Sequence, residues 1–160
     1  MKKIKTMLAM MLAMVAFCGV MTSCGDDDDE TVAAAKEVVG TYVDNLEMTV
    51  MTSTSTYENA EVKVEYADDS HVNITLPGAG SGSMTLPSIT VPKVDVSGSN
   101  GSYTLSLNNY SGTVSVNGVD KNYTVTISGT YSNNVLQLNY SLQYGAMPMP
   151  MIGKFKATKK

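Results

Sequence analysis

Arginine and tryptophan are absent from this 160-residue chain, and histidine occurs once, at position 71. With no arginine and a formal charge of −4, the chain lacks the basic patch that nucleic-acid binding requires, and that class of function is set aside. Cysteine occurs twice, as Cys18 and Cys24, which leaves no cysteine-rich metal site to consider. The longest apolar run, residues 7–21, is short for a membrane-spanning helix.

That run has another reading. Lys2, Lys3 and Lys5 precede it, and Met-Thr-Ser-Cys closes it, the pattern of a secretory leader covering residues 1–23. Thr22 and Ser23 are small enough for a signal peptidase, whereas Phe17 is too bulky for cleavage before Cys18. The junction resembles a bacterial lipobox, in which the cysteine, here Cys24, is cleaved at its amino side and acylated. Met21 stands where leucine is usual. A plain cleaved signal or an uncleaved anchor is the alternative. One acyl chain anchors a protein marginally, whereas several hold it on the membrane. Cys24 would then be the only cysteine of the mature chain, and it would be lipidated.

Residues 26–30 are Asp26, Asp27, Asp28, Asp29 and Glu30. A calcium loop spaces its carboxylates around a turn, commonly with a glycine. Adjacent aspartates diverge and repel, so this run suits a solvated tether over residues 24–37, with "TVAAAKEVV" able to make a short helix at its end. Without the leader lysines the formal charge falls from −4 to −7, and this run carries five of those negatives. Cys24-Gly25 followed by acidic residues is also similar to the export signal of surface lipoproteins in Gram-negative gut anaerobes. The resemblance implies outer-membrane attachment with exposure on the extracellular face.

From Gly40 onward the pattern is β. "AEVKVEYA", "HVNITL", "YTLSLN", "GTVSVN", "YTVTISGTY" and "LQLNYSLQY" alternate apolar and polar residues, with turn signals at Asp68-Asp69-Ser70, Ser99-Asn100-Gly101, Asn117-Gly118 and Ser132-Asn133-Asn134. Strands about ten residues apart with no intervening helix predict an all-β barrel or sandwich. A transmembrane barrel has the same period with the apolar side outward. The expected lipid anchor, the scatter of tyrosines and the terminal lysines favour the apolar face inside.

"VVGTYVDNLEM" resembles the opening of the calycin superfamily, which includes lipocalins, where a Gly-x-Trp on the first strand plugs the closed end of the barrel. Gly40 and Tyr42 occupy those positions, with tyrosine for tryptophan. With Ser83-Met84-Thr85-Leu86-Pro87 and Met147-Pro148-Met149-Pro150, the chain is similar to calycin-like lipoprotein domains over residues 38–158. The resemblance implies an up-and-down antiparallel barrel of about eight strands and no particular ligand.

Candidate sites are few. His71 beside Asp68 and Asp69 has the elements of an oriented base, but no elbow marks a serine nucleophile, and an exposed hairpin histidine explains it. Met147, Met149 and Met151, alternating with prolines, would share one side of an extended segment. They suit a soft-metal site or, more simply, rim packing. "PGAGSGSM" lacks the lysine of a phosphate loop and reads as a long connection or a lid. Tyr66, Tyr103, Tyr123 and Tyr140 are expected in the core. No catalytic, metal or cofactor residue is assigned. The expected function is a lipid-anchored binding module for a small molecule, glycan or protein. The alternatives are a solidly packed barrel acting through its outer face and, last, a hydrolase.

Overall fold

The computed structural model describes residues 33–80 and 85–160; the leader, Cys24 and the acidic run lie outside the described residues. A short helix, α1 (Ala33–Val38), leads into eight strands: β1 (Gly40–Val50), β2 (Ser53–Asp68), β3 (His71–Leu76), β4 (Ile89–Ser99), β5 (Ser102–Val116), β6 (Val119–Ser132), β7 (Val135–Tyr144) and β8 (Met151–Thr158). Each strand pairs antiparallel with the next, and β8 closes on β1 from Leu46↔Phe155 to Val50↔Met151. The expected eight-stranded up-and-down barrel is therefore present.

Inward positions follow the pleat. Leu136, Leu138, Tyr140 and Leu142 on β7 and Met151, Phe155 and Ala157 on β8 are buried, as are Val62 and Val64 on β2. The outer surface is polar: Ser102↔Ser132, Thr104↔Thr130 and Ser106↔Ser128 form rows across β5 and β6. Apolar side in and hydroxyl side out is the reverse of a lipid-facing barrel.

Two-residue turns with both central residues at positive φ join β4 to β5 (Asn100, Gly101), β5 to β6 (Asn117, Gly118) and β6 to β7 (Asn133, Asn134). That geometry matches strand twist and explains why asparagine and glycine occupy these corners. Register breaks keep the inner face in phase around the barrel. Asn59, Lys93 and Asn109, all at positive φ, lie at the breaks in β2, β4 and β5. The break in β5 fuses "YTLSLN" and "GTVSVN", read as separate strands, into one.

Buried phenols couple this core to pH. Burial raises the pKa of Tyr42, Tyr140, Tyr123 and Tyr131, with neighbouring Tyr131 adding to the effect on Tyr42. A phenol whose folded pKa exceeds its unfolded value near 10 contributes stability that is complete below about pH 10 and lost as pH rises further. Phenolate absorbance at 295 nm should therefore include a cooperative step above about pH 10 that coincides with loss of the β-sheet circular dichroism. If all the tyrosines ionise smoothly while the native spectrum persists, the core assignment is wrong.

Candidate ligand site at the open end of the barrel

The strand directions give the barrel two unlike ends. At one end lie α1, the turns at Asp69-Ser70, Asn100-Gly101 and Asn133-Asn134, and Lys159 and Lys160. The other carries the Met51-Thr52 and Asn117-Gly118 turns and, among the described residues, residues 77–80, 85–88 and 145–150.

The first end is closed. Tyr42 is fully buried, donates from its hydroxyl to the Val38 carbonyl at 2.7 Å, and meets the Tyr131 ring edge-on at 6.3 Å. Tyr103 stacks beyond it, 6.2 Å from Tyr131. The Lys159 ammonium sits 5.9 Å from the Tyr131 ring and donates to Glu37 O at 2.9 Å. The stem of Lys159 lies so close over Gly40 that a Cβ there would reach its Cε at 2.8 Å. Gly40 and Tyr42 are thus brought together with α1 and the end of β8.

His71 belongs to the same end. Its Nδ1 meets Asp68 Oδ1 at 2.6 Å and its Nε2 meets Asp95 Oδ1 at 2.9 Å, tying the β2–β3 turn to β4. The hydrogen bond from His71, with that from the Ser70 N–H, holds the Asp68 carboxyl below the usual carboxylate range. Among the described residues, no group of three or more His, Cys, Asp or Glu is placed to hold a metal ion. Tyr66, expected in the core, is instead exposed at this end. Beside the break at Ala67 it turns to Asp69, its hydroxyl 2.5 Å from Oδ1, and the Lys36 ammonium lies 5.7 Å from its ring. Tyr103, Tyr123 and Tyr140 are buried as expected.

Space opens at the opposite end, above the row formed by Val50, Met151 and Leu142. A cavity of about 400 Å³ is lined by Met48, Val50, Tyr57, Leu86, Met147 and Met151, with Ser53 and Ser55 on one wall and Ala79 and Gly80 on another. A second, of about 680 Å³, lies between Val116, Val119, Tyr144, Ala146, Met147 and Pro148, with Thr85, Asn117, Lys121 and Gly145 beside them. Met147 belongs to both. Every methionine among the described residues (Met48, Met51, Met147, Met149 and Met151) lies at this end. Methionine suits an apolar wall that must fit an irregular guest. The three of "MPMPM" do not share one side: residues 145–150 form a loop, so Met147 and Met151 line the first cavity while Met149 faces solvent.

Below this mouth the barrel is filled. The Tyr140 ring lies across Gly153, and its buried hydroxyl has no hydrogen-bond partner among the described residues. Among the described residues, buried side chains pack the core below the mouth. Serine hydroxyls and a tyrosine face the first cavity, Lys121 is the one charged side chain bordering the second, and the His71 cluster is at the far end. The arrangement can hold an apolar molecule and orient it by hydroxyl contacts. Among the described residues, it brings no acid–base pair to the cavities. Sequence reasoning missed Ser53, Ser55 and Tyr57, because a rim strand with polar inward residues shows no apolar period.

An eight-stranded up-and-down barrel closed at one end by an aromatic plug and open at the other defines a calycin-type protein. The chain belongs to the calycin-like β-barrel domain family, whose model matches residues 38–158. Among solved structures it is similar to a protein of Bacteroides fragilis NCTC 9343, described as a "putative outer membrane protein", at 24% identity and a TM-score of 0.66. That alignment covers 80% of this chain and 53% of the other, so this chain spans about half that protein's length. No curated protein matches the chain.

Proposed function

We propose that this protein is a lipid-anchored binding module of the outer membrane, displayed on the extracellular face, which receives an apolar ligand at the open end of its barrel. The observation that carries the binding reading is the cavity of about 400 Å³ between β1, β2 and the methionines of the 145–151 segment, a size within the range of ligand pockets. Acylated Cys24 is the proposed anchor and Asp26, Asp27, Asp28, Asp29 and Glu30 the export label. The similar Bacteroides fragilis protein, described as a "putative outer membrane protein", supports the location.

Titration of the detergent-solubilised protein with N-phenyl-1-naphthylamine should give a saturable rise in fluorescence. Ser55→Trp, which puts an indole into the cavity from an exposed position, should weaken binding at least tenfold, about 1.4 kcal/mol, with no change in melting temperature. Equal binding to both proteins would remove the cavity from consideration. For location, protease applied to intact cells should degrade the native protein but spare a variant with alanine at positions 26–29. Survival of the native protein while a surface marker is shaved would refute display.

A further inference from the structure

We infer that the ligand held at the open end is an extended polypeptide segment that adds as a strand to the free edge of β2. The inference deepens the proposed binding function and rests on it.

The two sides of β2 are paired unequally. β1 pairs with it from Gly40↔Val64 down to Val50↔Ser53, but β3 pairs only from Lys63↔Thr75 to Asp68↔His71. Among the described residues, residues 53–62 have no strand on their second side. The Met51-Thr52 turn makes Val50 and Ser53 a hydrogen-bonded pair, so Ser53, Ser55 and Tyr57 direct their main-chain groups to β1. Thr54 and Thr56 direct theirs to the empty side. The 2.8 Å contact between the Thr49 and Thr54 hydroxyls agrees, since side chains approach most closely across the non-hydrogen-bonded pairs. β5 also runs on past its pairing with β4, which ends at Asp95↔Ser106, but that stretch does not border the first cavity. A free run of backbone donors and acceptors beside a cavity is a ready template for an added strand.

The empty side is also the first cavity. Ser53, Ser55 and Tyr57 form one wall, and the other is the short bridge in which the Ala79 and Leu86 backbones exchange hydrogen bonds of 3.1 and 2.7 Å. A strand added about 4.8 Å from β2 would point alternate side chains inward, onto Met48 and Met151. Its other side chains would lie outward, beside Thr54, Thr56 and Glu58. Charge selects them. Glu58 and Glu61 are exposed along this edge with Asp44 on the neighbouring strand, and the register puts Val43 and Ala60, not a lysine, opposite Glu61 and Asp44. The fitting partner is a segment alternating apolar residues inward with basic residues outward. A second copy of this chain using the same edge would bring its own Glu58 and Glu61 to that surface, where like charges repel.

The test uses the detergent-solubilised full chain and an acetylated, amidated heptapeptide of alternating lysine and valine. Its control carries N-methyl groups on alternate amides, which preserves charge and side chains but removes strand donors. The peptide should bind at least tenfold more tightly than the control and slow amide exchange in residues 53–57. Thr54→Pro and Thr56→Pro, which remove only edge-facing donors, should each abolish peptide binding while N-phenyl-1-naphthylamine still titrates normally. Equal binding of the methylated control, or slowing confined to another strand, overturns the inference. Dye binding without peptide binding overturns it and leaves the cavity reading intact, whereas failure of both probes removes both. Concentration-dependent protection of residues 53–57 without peptide assigns the edge to a second copy and likewise overturns it.

Discussion

Tyr42→Ala is expected to destabilise the barrel by about 3–5 kcal/mol, the range for removing a large buried aromatic side chain. The ring is fully buried at the closed end, packs edge-on against Tyr131, and carries the hydroxyl that accommodates the last carbonyl of α1. Truncation therefore loses apolar burial, leaves a cavity beneath the Lys159 stem, and orphans the Val38 carbonyl. Tyr42→Phe keeps the ring and loses one hydrogen bond, so it should cost only about 0.5–1.5 kcal/mol. Urea denaturation at constant m-value reads both. If the alanine variant costs less than about 1 kcal/mol, Tyr42 does not hold the closed end together, and the proposed closing role of Gly40 and Tyr42 fails with it.

Gly153→Ala should cost about 1–3 kcal/mol, a large effect for one methyl group. Gly153 faces inward between Tyr140 on β7 and Met48 on β1, and an added Cβ would strike the ring of Tyr140. That ring is buried in the core cluster, so moving aside would disturb packed neighbours. Tyr140→Leu clears the space, so the double variant should be more stable than the two single losses added together. Tyr140→Phe separates out the hydroxyl. With no partner for that oxygen among the described residues, its removal should raise stability by roughly 1 kcal/mol. Additivity in the Gly153–Tyr140 cycle would show that the ring does not lie where the structure puts it.

Much of the barrel was legible because most strands are buried on one face only. The alternation of Leu136, Leu138, Tyr140 and Leu142 is the direct imprint of a wet and a dry side, and the Asn-Gly and Asn-Asn corners state their own backbone geometry. Reading failed where that imprint is missing. In β4, Pro92 and Lys93 lie at a register break between Val91 and Val94, so the inner residues fall three apart rather than two. In the first half of β2, "STSTYEN", the inward residues border a cavity instead of a core, and no apolar period forms. Tyr66 kept the period yet lies outside the core, because the neighbouring break turns it toward Asp69.

The sequence by itself determined the strand class, the inward residues of the well-buried strands, the hairpin corners and the family, since each depends on neighbours a few residues away. It also carries the Met-Thr-Ser-Cys junction and the acidic run on which the proposed address rests. Tertiary structure alone decided which end is open, how deep the filling runs, and that β2 outruns β3 to leave an edge beside the cavity. Those features depend on register between segments far apart in the chain, Leu46 with Phe155 or Lys63 with Thr75. Register is chosen by packing the whole inner face at once, and no local stretch of sequence contains that choice.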